Sequence, residues 1–279
     1  MLDSRSTEAR YAEDGYVFPL DVLESHEAAE LRADLEKAES ELADDPERLA
    51  LLRAYPDRLL PSFDRLIRHP KLLEAASGIL GPDLMVWSAG LFIKEANSPK
   101  IVSWHQDLTY WGLDDAEETT CWVALSDVSV ASGAMKFVPG SHTQSAVDHI
   151  DTFSDNNLLT RGQEIAVDVD EADAVAVELA PGQASMHHGH LFHASGPNST
   201  DDRRIGSAIR YIKASMKQQD GTKSLVAHVQ GEDRWNNFKI ASSPADRLQE
   251  ADFELCRQDA QAKRHILYAG AEQQSGKRY

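Results

Sequence analysis

The chain has 279 residues, 42% of them hydrophobic and 7% aromatic, which suits one large domain with a substantial core and not a disordered or fibrous chain. Its 28 basic residues against 46 acidic ones leave a net charge of −18, a field that repels phosphate backbones and anionic lipid, so neither nucleic acid nor a membrane surface is an expected partner. No apolar run approaches a membrane helix, the first residues show no secretory pattern, and two cysteines, Cys121 and Cys256, are too few for a disulfide framework, so a reducing, cytoplasmic setting is expected.

Residues 8–20 are expected to form a short helix that breaks at Gly15 into a strand over Tyr16-Val17-Phe18-Pro19-Leu20. Ser25 is the expected cap of a helix whose apolar positions Ala28, Leu31, Leu35, Ala38 and Leu42 recur at helical spacing, as a scaffold packed on something flat requires. Asp44-Asp45-Pro46 ends it or begins the next segment, and Leu59 to Leu80 carries a second helical pattern stopped by Gly81-Pro82.

From Leu84 the texture becomes β-prone. A long run over Leu84–Lys94 is followed by shorter ones at Ile101–Asp107, Thr120–Leu125, Ala134–Val138, Val175–Leu179, Ala184–Leu191 and Arg204–Lys213, separated by Gly, Pro, Ser, Asn and Asp. The polar stretch His142–Asp173 is long for a connection and is the expected lid. Residues 244–268 are expected to be helical. The organisation is therefore a single domain: a helical flank over 1–82, a β core over 83–215, and a C-terminal extension over 216–279.

The chemistry centres on Trp104-His105-Gln106-Asp107. In a strand, side chains two apart share a face, so His105 and Asp107 would aim at one point. An imidazole beside a carboxylate is two thirds of the facial set that holds non-haem Fe(II) and leaves three positions open. A distant strand should supply the third ligand. Four histidines crowd Met186-His187-His188-Gly189-His190-Leu191-Phe192-His193, and alternation places His187 and His193 on one face with His188 and His190 on the other, leaving two candidates. Downstream, Arg203-Arg204-Ile205-Gly206-Ser207-Ala208-Ile209-Arg210-Tyr211 forms another strand, expected to return antiparallel beside the histidine. A guanidinium at Arg204 with the hydroxyl of Ser195 would grip a carboxylate such as the distal one of 2-oxoglutarate. Alternation turns Arg203 to the opposite face.

These segments, with Asp14-Gly15-Tyr16-Val17, Val138-Pro139-Gly140-Ser141-His142 and His193-Ala194-Ser195-Gly196-Pro197-Asn198, resemble the phytanoyl-CoA dioxygenase family of Fe(II)/2-oxoglutarate-dependent oxygenases over roughly residues 10–215. The resemblance implies a mainly β fold with flanking helices, the double-stranded β-helix or jelly roll. It implies His105, Asp107 and His193 as the iron ligands, Arg204 and Ser195 as the clamp on 2-oxoglutarate, and Trp122 and Lys94 as further lining of that pocket. With Fe(II), 2-oxoglutarate and O2, it implies hydroxylation of an aliphatic C–H bond with release of succinate and CO2. Related halogenases replace the carboxylate with a small residue, so Asp107 implies hydroxylation over halogenation.

For the substrate, the expected contacts are Tyr110 and Trp111 just after the iron motif, and Asn157 and Arg161 in the lid, Arg161 being a candidate for an anionic group. Asn156, Asn157, Thr160 and Gln163 suit a small polar metabolite better than an acyl chain. A protein- or peptide-modifying oxygenase of the same chemistry is the alternative, and it would need an extended groove. A jelly-roll binding protein without turnover is the third reading.

Overall fold

A computed structural model describes residues 6–144, 146–152, 154–159 and 162–267. Helix α1 (Thr7–Asp14) is capped by Ser6, whose hydroxyl accepts from the Ala9 N–H at 3.2 Å, and it ends at Gly15 in the left-handed region. Only glycine takes that conformation cheaply, and here a side chain would also collide with His142. Strand β1 (Tyr16–Asp21) follows at once.

Helix α2 (Ser25–Glu41) buries Ala28, Leu31, Leu35 and Ala38 as their spacing predicts, but its cap is Glu24 in place of Ser25. The Glu24 and Glu27 side chains reciprocally satisfy each other's backbone N–H groups. The expected helix over Leu59–Leu80 is broken. Helices α3 (Pro46–Ala54), α4 (Pro56–Leu59), α5 (Pro61–Ile67) and α6 (Pro70–Leu80) each place proline in the first turn, where its missing N–H is harmless; in a helix interior the same proline would break the ladder.

The β region comprises β2 (Leu84–Lys94), β3 (Val102–His105), β4 (Glu118–Ala124), β5 (Met135–Phe137), β6 (His149–Asp151), β7 (Gln163–Ile165), β8 (Val175–Val177), β9 (Gln183–His188), β10 (His193–Ser195), β11 (Arg204–Lys213), β12 (Leu225–Gln230) and β13 (Lys239–Ile240). One sheet runs β1-β9-β4-β11-β2-β12-β13 and a second runs β3-β10-β5-β8, while β6 and β7 form a hairpin within the expected lid. Helix α7 (Glu250–Leu267) closes the described chain.

The large sheet is covered on both faces, so its central strands are buried almost throughout. Residues such as Leu91, Cys121, Val123, Ile209 and Tyr211 pack beneath the N-terminal helices. The alternate residues Trp122, Ala124 and Ala208 meet Phe137, Val177 and Leu191 from the other side. Two sheets face to face in this way are the jelly roll expected from the sequence. Their pairing corrects one expectation. β11 does not lie beside β10: it pairs with β2 and β4, whereas β10 pairs with β3 and β5. Arg204 therefore approaches Ser195 across the sandwich. Among the described residues no helix is long and apolar enough to cross a membrane.

Candidate active site

The site begins where β3 and β10 meet. His105 and His193 are direct cross-strand partners, which brings their ring centroids to 4.0 Å. The Nδ1 of His193 lies 2.9 Å from the Leu191 carbonyl, and that of His105 lies 2.9 Å from Ser103 O and 3.1 Å from His193 O. Carbonyls only accept, so both Nδ1 atoms carry the proton and both Nε2 lone pairs are free for a metal.

Asp107 completes the group, though not by strand alternation. β3 ends at His105, and Asp107 has helical backbone angles at the head of the short turn Leu108–Tyr110, which swings its carboxylate back. Its Oδ1 stands 3.5 Å from His105 Nε2 and 4.0 Å from His193 Nε2, and one donor atom from each of the three side chains lies within 4.8 Å of the others. Burial acts to raise the Asp107 carboxyl, but the His105, His187 and His193 rings and the Arg210 guanidinium around it outweigh that and hold the group well below the usual carboxylate range. Burial, then the neighbouring His105 and His187, keep His193 neutral. A carboxylate and two imidazoles whose Nε2 lone pairs converge fit Fe(II).

The second Asp107 oxygen faces away from this point. Oδ2 lies 3.2 Å from Thr120 Oγ1 and 3.7 Å from His187 Nε2. Thr120 also lies 2.8 Å from Glu118 Oε1. Burial, reinforced by the Asp107 charge, raises Glu118 well above the ordinary carboxylate range, and the Thr120 hydroxyl lies between it and Asp107 as a donor within reach of both. His187 is buried and neither ring nitrogen has a hydrogen-bond partner. It enters the same cavity as His193, but from the opposite sheet and outside the three-residue group. A side chain steadying a ligand from behind is worth roughly 10–100-fold in metal affinity. His187→Leu should lower Mn(II) affinity by that order in a calorimetric titration; unchanged affinity would reduce His187 to packing.

At the other end of the cavity a buried guanidinium waits without an anion, with a lysine beside it. Arg204 is 1% exposed, with Nε and Nη2 unpartnered and its guanidinium 5.3 Å from the Trp122 ring centroid. Lys94, its register partner on β2, donates to Ser195 Oγ at 2.7 Å and to the Gly196 carbonyl. Gly206 makes room for the indole, since a Cβ there would fall inside the Trp122 ring. Arg203 points outward to Glu39 and Glu95, as alternation predicts.

Burial, then the Arg204 charge, push the Lys94 ammonium down to about 6. A carboxylate arriving between the two would restore that ammonium, so binding takes up a proton between about 6 and lysine's ordinary value near 10.4, and affinity falls as pH rises through that window. Titration of 2-oxoglutarate in buffers of different ionisation enthalpy at about pH 8 should show uptake of close to one proton. No uptake would remove Lys94 from the carboxylate's surroundings.

The cavity joining the two ends takes in His105, Asp107, His193, Ser195, Arg204 and Trp122. The expected substrate contacts are not among its lining residues. Trp111 is buried and stacked on Trp87 with centroids 4.9 Å apart. Tyr110 sits edge-on to His149. The Asn157 amide donates to Ser103 Oγ at 2.6 Å, tying the hairpin region to β3. Arg161 and Thr160 lie outside the described residues. Phe92, Met135, Thr120 and Arg210 line the cavity without having been singled out. Alternation along β11 was the signal for Arg210, which shares the face of Arg204.

Three comparisons bear on this geometry. The family described as Phytanoyl-CoA dioxygenase (PhyH) matches residues 11–206. Among curated proteins, the "Probable alpha-ketoglutarate-dependent hypophosphite dioxygenase" of Stutzerimonas stutzeri is 26% identical over 162 residues, covering 57% of this chain and 56% of the relative. An ectoine dioxygenase of Bordetella parapertussis is 29% identical over 147 residues, 48% of each chain. The chain thus spans about half the length of these curated relatives. Among solved structures, the non-heme monooxygenase ThoJ in its apo form superposes with a TM-score of 0.85 at 34% identity, covering 94% of this chain and 97% of that one. Its nickel complex gives 0.80 at 32% identity, covering 94% and 98%.

Proposed function

Because the chain belongs to the phytanoyl-CoA dioxygenase family, we propose that it is an Fe(II)/2-oxoglutarate-dependent oxygenase that hydroxylates an aliphatic C–H bond of a small polar or anionic metabolite. The observation carrying this reading is that one cavity has a two-histidine, one-carboxylate group at one end and Arg204, with two unpartnered nitrogens and Lys94 as its register partner, at the other. His105, Asp107 and His193 would hold the iron, and Arg204, Lys94 and Ser195 the distal carboxylate of 2-oxoglutarate, with Trp122 against its chain. Bound iron and 2-oxoglutarate supply oxidative decarboxylation to succinate and CO2 coupled to insertion of one oxygen atom into the substrate.

The chain's own part is to orient and to exclude. The backbone carbonyls of Ser103, His193 and Leu191 fix the imidazole tautomers. Thr120 engages Oδ2 of Asp107, which favours coordination through the other oxygen alone and leaves positions for co-substrate and O2. With this carboxylate in place there is no vacant ligand position for a halide, so hydroxylation is the favoured outcome. The substrates in the relatives' names, hypophosphite and ectoine, are small molecules bearing an oxyanion, which supports the same class here. We also place the protein in the cytoplasm, where ferrous iron persists and the two buried thiols stay reduced.

The test is succinate formation on adding Fe(II), ascorbate and 2-oxoglutarate in air, with hypophosphite, ectoine and similar compounds as substrates. Under nitrogen, Fe(II) with 2-oxoglutarate should give a visible charge-transfer band. Absence of both the band and succinate would overturn the reading.

A further inference from the structure

Arg210 is a cation that the contacts proposed for 2-oxoglutarate leave out. It lies on the cavity face of β11 with Arg204, Gly206 and Ala208, level with Thr120 and hence with the carboxylate end of the metal group. Six residues of strand, roughly 20 Å, separate its Cα from that of Arg204. The side chain is 9% exposed, and its guanidinium carbon is 5.5 Å from the ring centroids of both Phe92 and Trp111. Gly90 on the neighbouring strand keeps the space beside Nη1 open, where a Cβ would stand 3.4 Å away.

What the guanidinium lacks is an anion. Its one hydrogen bond is to the Ala208 carbonyl at 3.3 Å, Nε has no partner, and no carboxylate among the described residues is within ion-pair distance. Two carboxylates are close enough to be influenced by it, but both are spoken for. Asp107 belongs to the metal group, and Glu118 is bonded to Thr120 at 2.8 Å, with burial disfavouring its charged form. A buried, unpaired charge is costly and is kept where something arrives to compensate it. With a divalent metal, one ligating carboxylate, a dianionic co-substrate, Arg204 and the ammonium that Lys94 regains on binding, the site already carries one positive charge before Arg210 is counted. Arg210 adds another, and nothing in the loaded site offsets it.

We infer that Arg210 is a second oxyanion subsite, which anchors a singly charged carboxylate or similar oxyanion of the substrate beside the metal group. The subsite deepens the function proposed above and rests on it for the identity of the occupant. Phe92 and Trp111 both lie within cation–π distance of the guanidinium, and its unpartnered Nε–H is a donor available to an anion.

Thermal unfolding of the protein loaded with Mn(II) and saturating 2-oxoglutarate tests the inference, because the co-substrate then occupies Arg204. Hypophosphite and acetate should each raise the wild-type midpoint by about 3 °C or more relative to chloride at equal ionic strength. Acetamide, the neutral isostere of acetate, should not. Arg210→Met should abolish the anion shift, and Arg210→Gln stands in if that variant does not fold. No shift in the wild type, an equal shift in the variant, or an equal shift with acetamide would each overturn the subsite. A wild-type shift in protein that never makes succinate from 2-oxoglutarate would leave the subsite standing and remove the oxygenase reading.

Discussion

Asp107→Ala should weaken Fe(II) or Mn(II) binding by about three orders of magnitude and abolish succinate formation. A protein site of several ligands binds its metal with roughly 10–16 kcal/mol, so one ligand's share is close to 4 kcal/mol, and each 1.4 kcal/mol is tenfold. Of the three donors here Asp107 alone is charged, and its Oδ1 is the atom both imidazoles face. Asp107→Asn, which keeps the shape and loses the charge, should fall between the two. Metal-free stability separates a ligand from a structural carboxylate. Removing Asp107 breaks the contact with Thr120 but also relieves a buried charge, so the unfolding midpoint without metal should move by no more than the equivalent of about 1 kcal/mol. A fall of several kcal/mol would make Asp107 a structural residue. The stability this depressed carboxyl contributes is fully present above the ordinary carboxylate range and is lost only as pH falls through its own, lower value. The ligand therefore stays ionised through neutral and mildly acid assays.

The parts of this architecture that rest on continuous apolar sequence were legible before any coordinates. β2 and β11 span the residues expected, Leu84–Lys94 and Arg204–Lys213, because each is long, β-prone and covered on both faces. The face shared by Arg204 and Arg210, opposite to Arg203, also follows from alternation. Placement between elements was not legible. The return-strand expectation failed because a turn from His193 to Arg204 can lead to a hairpin or across a sandwich, and local sequence does not distinguish them. His105 and Asp107 do converge, but through a helical turn at Asp107 and not through strand alternation. His187 and His193 share the cavity from opposite sheets, which alternation along one run could not describe. Trp111 follows the iron motif closely in sequence, yet its ring is buried against Trp87 and beside Arg210, so it shapes the cavity wall through a neighbour.

Arg204→Met should raise the dissociation constant for 2-oxoglutarate by about a hundredfold, while Arg203→Met should change it less than about threefold. The two arginines are adjacent in sequence and opposite in environment. Arg203 is paired with half-buried Glu39 and exposed Glu95 on the side of the sheet away from the cavity, so its charge is already compensated and it contributes nothing to a ligand inside the sandwich. Arg204 is buried against Trp122 with Nε and Nη2 unsatisfied, and losing one side of a buried, hydrogen-bonded charge pair costs about 2–5 kcal/mol. Methionine keeps the volume against the indole, so the loss reports charge and not packing. Equal effects from the two variants would refute the assignment. The pH dependence supplies a second reading. In the wild type Lys94 is held down by burial and by the Arg204 charge; without Arg204 the second of these disappears and the ammonium is recovered at higher pH. The affinity left in Arg204→Met should therefore depend on Lys94 and strengthen as pH is lowered, whereas Arg204→Met with Lys94→Met together should bind 2-oxoglutarate weakly at every pH. A double variant no weaker than the single one would show that Lys94 does not share the carboxylate.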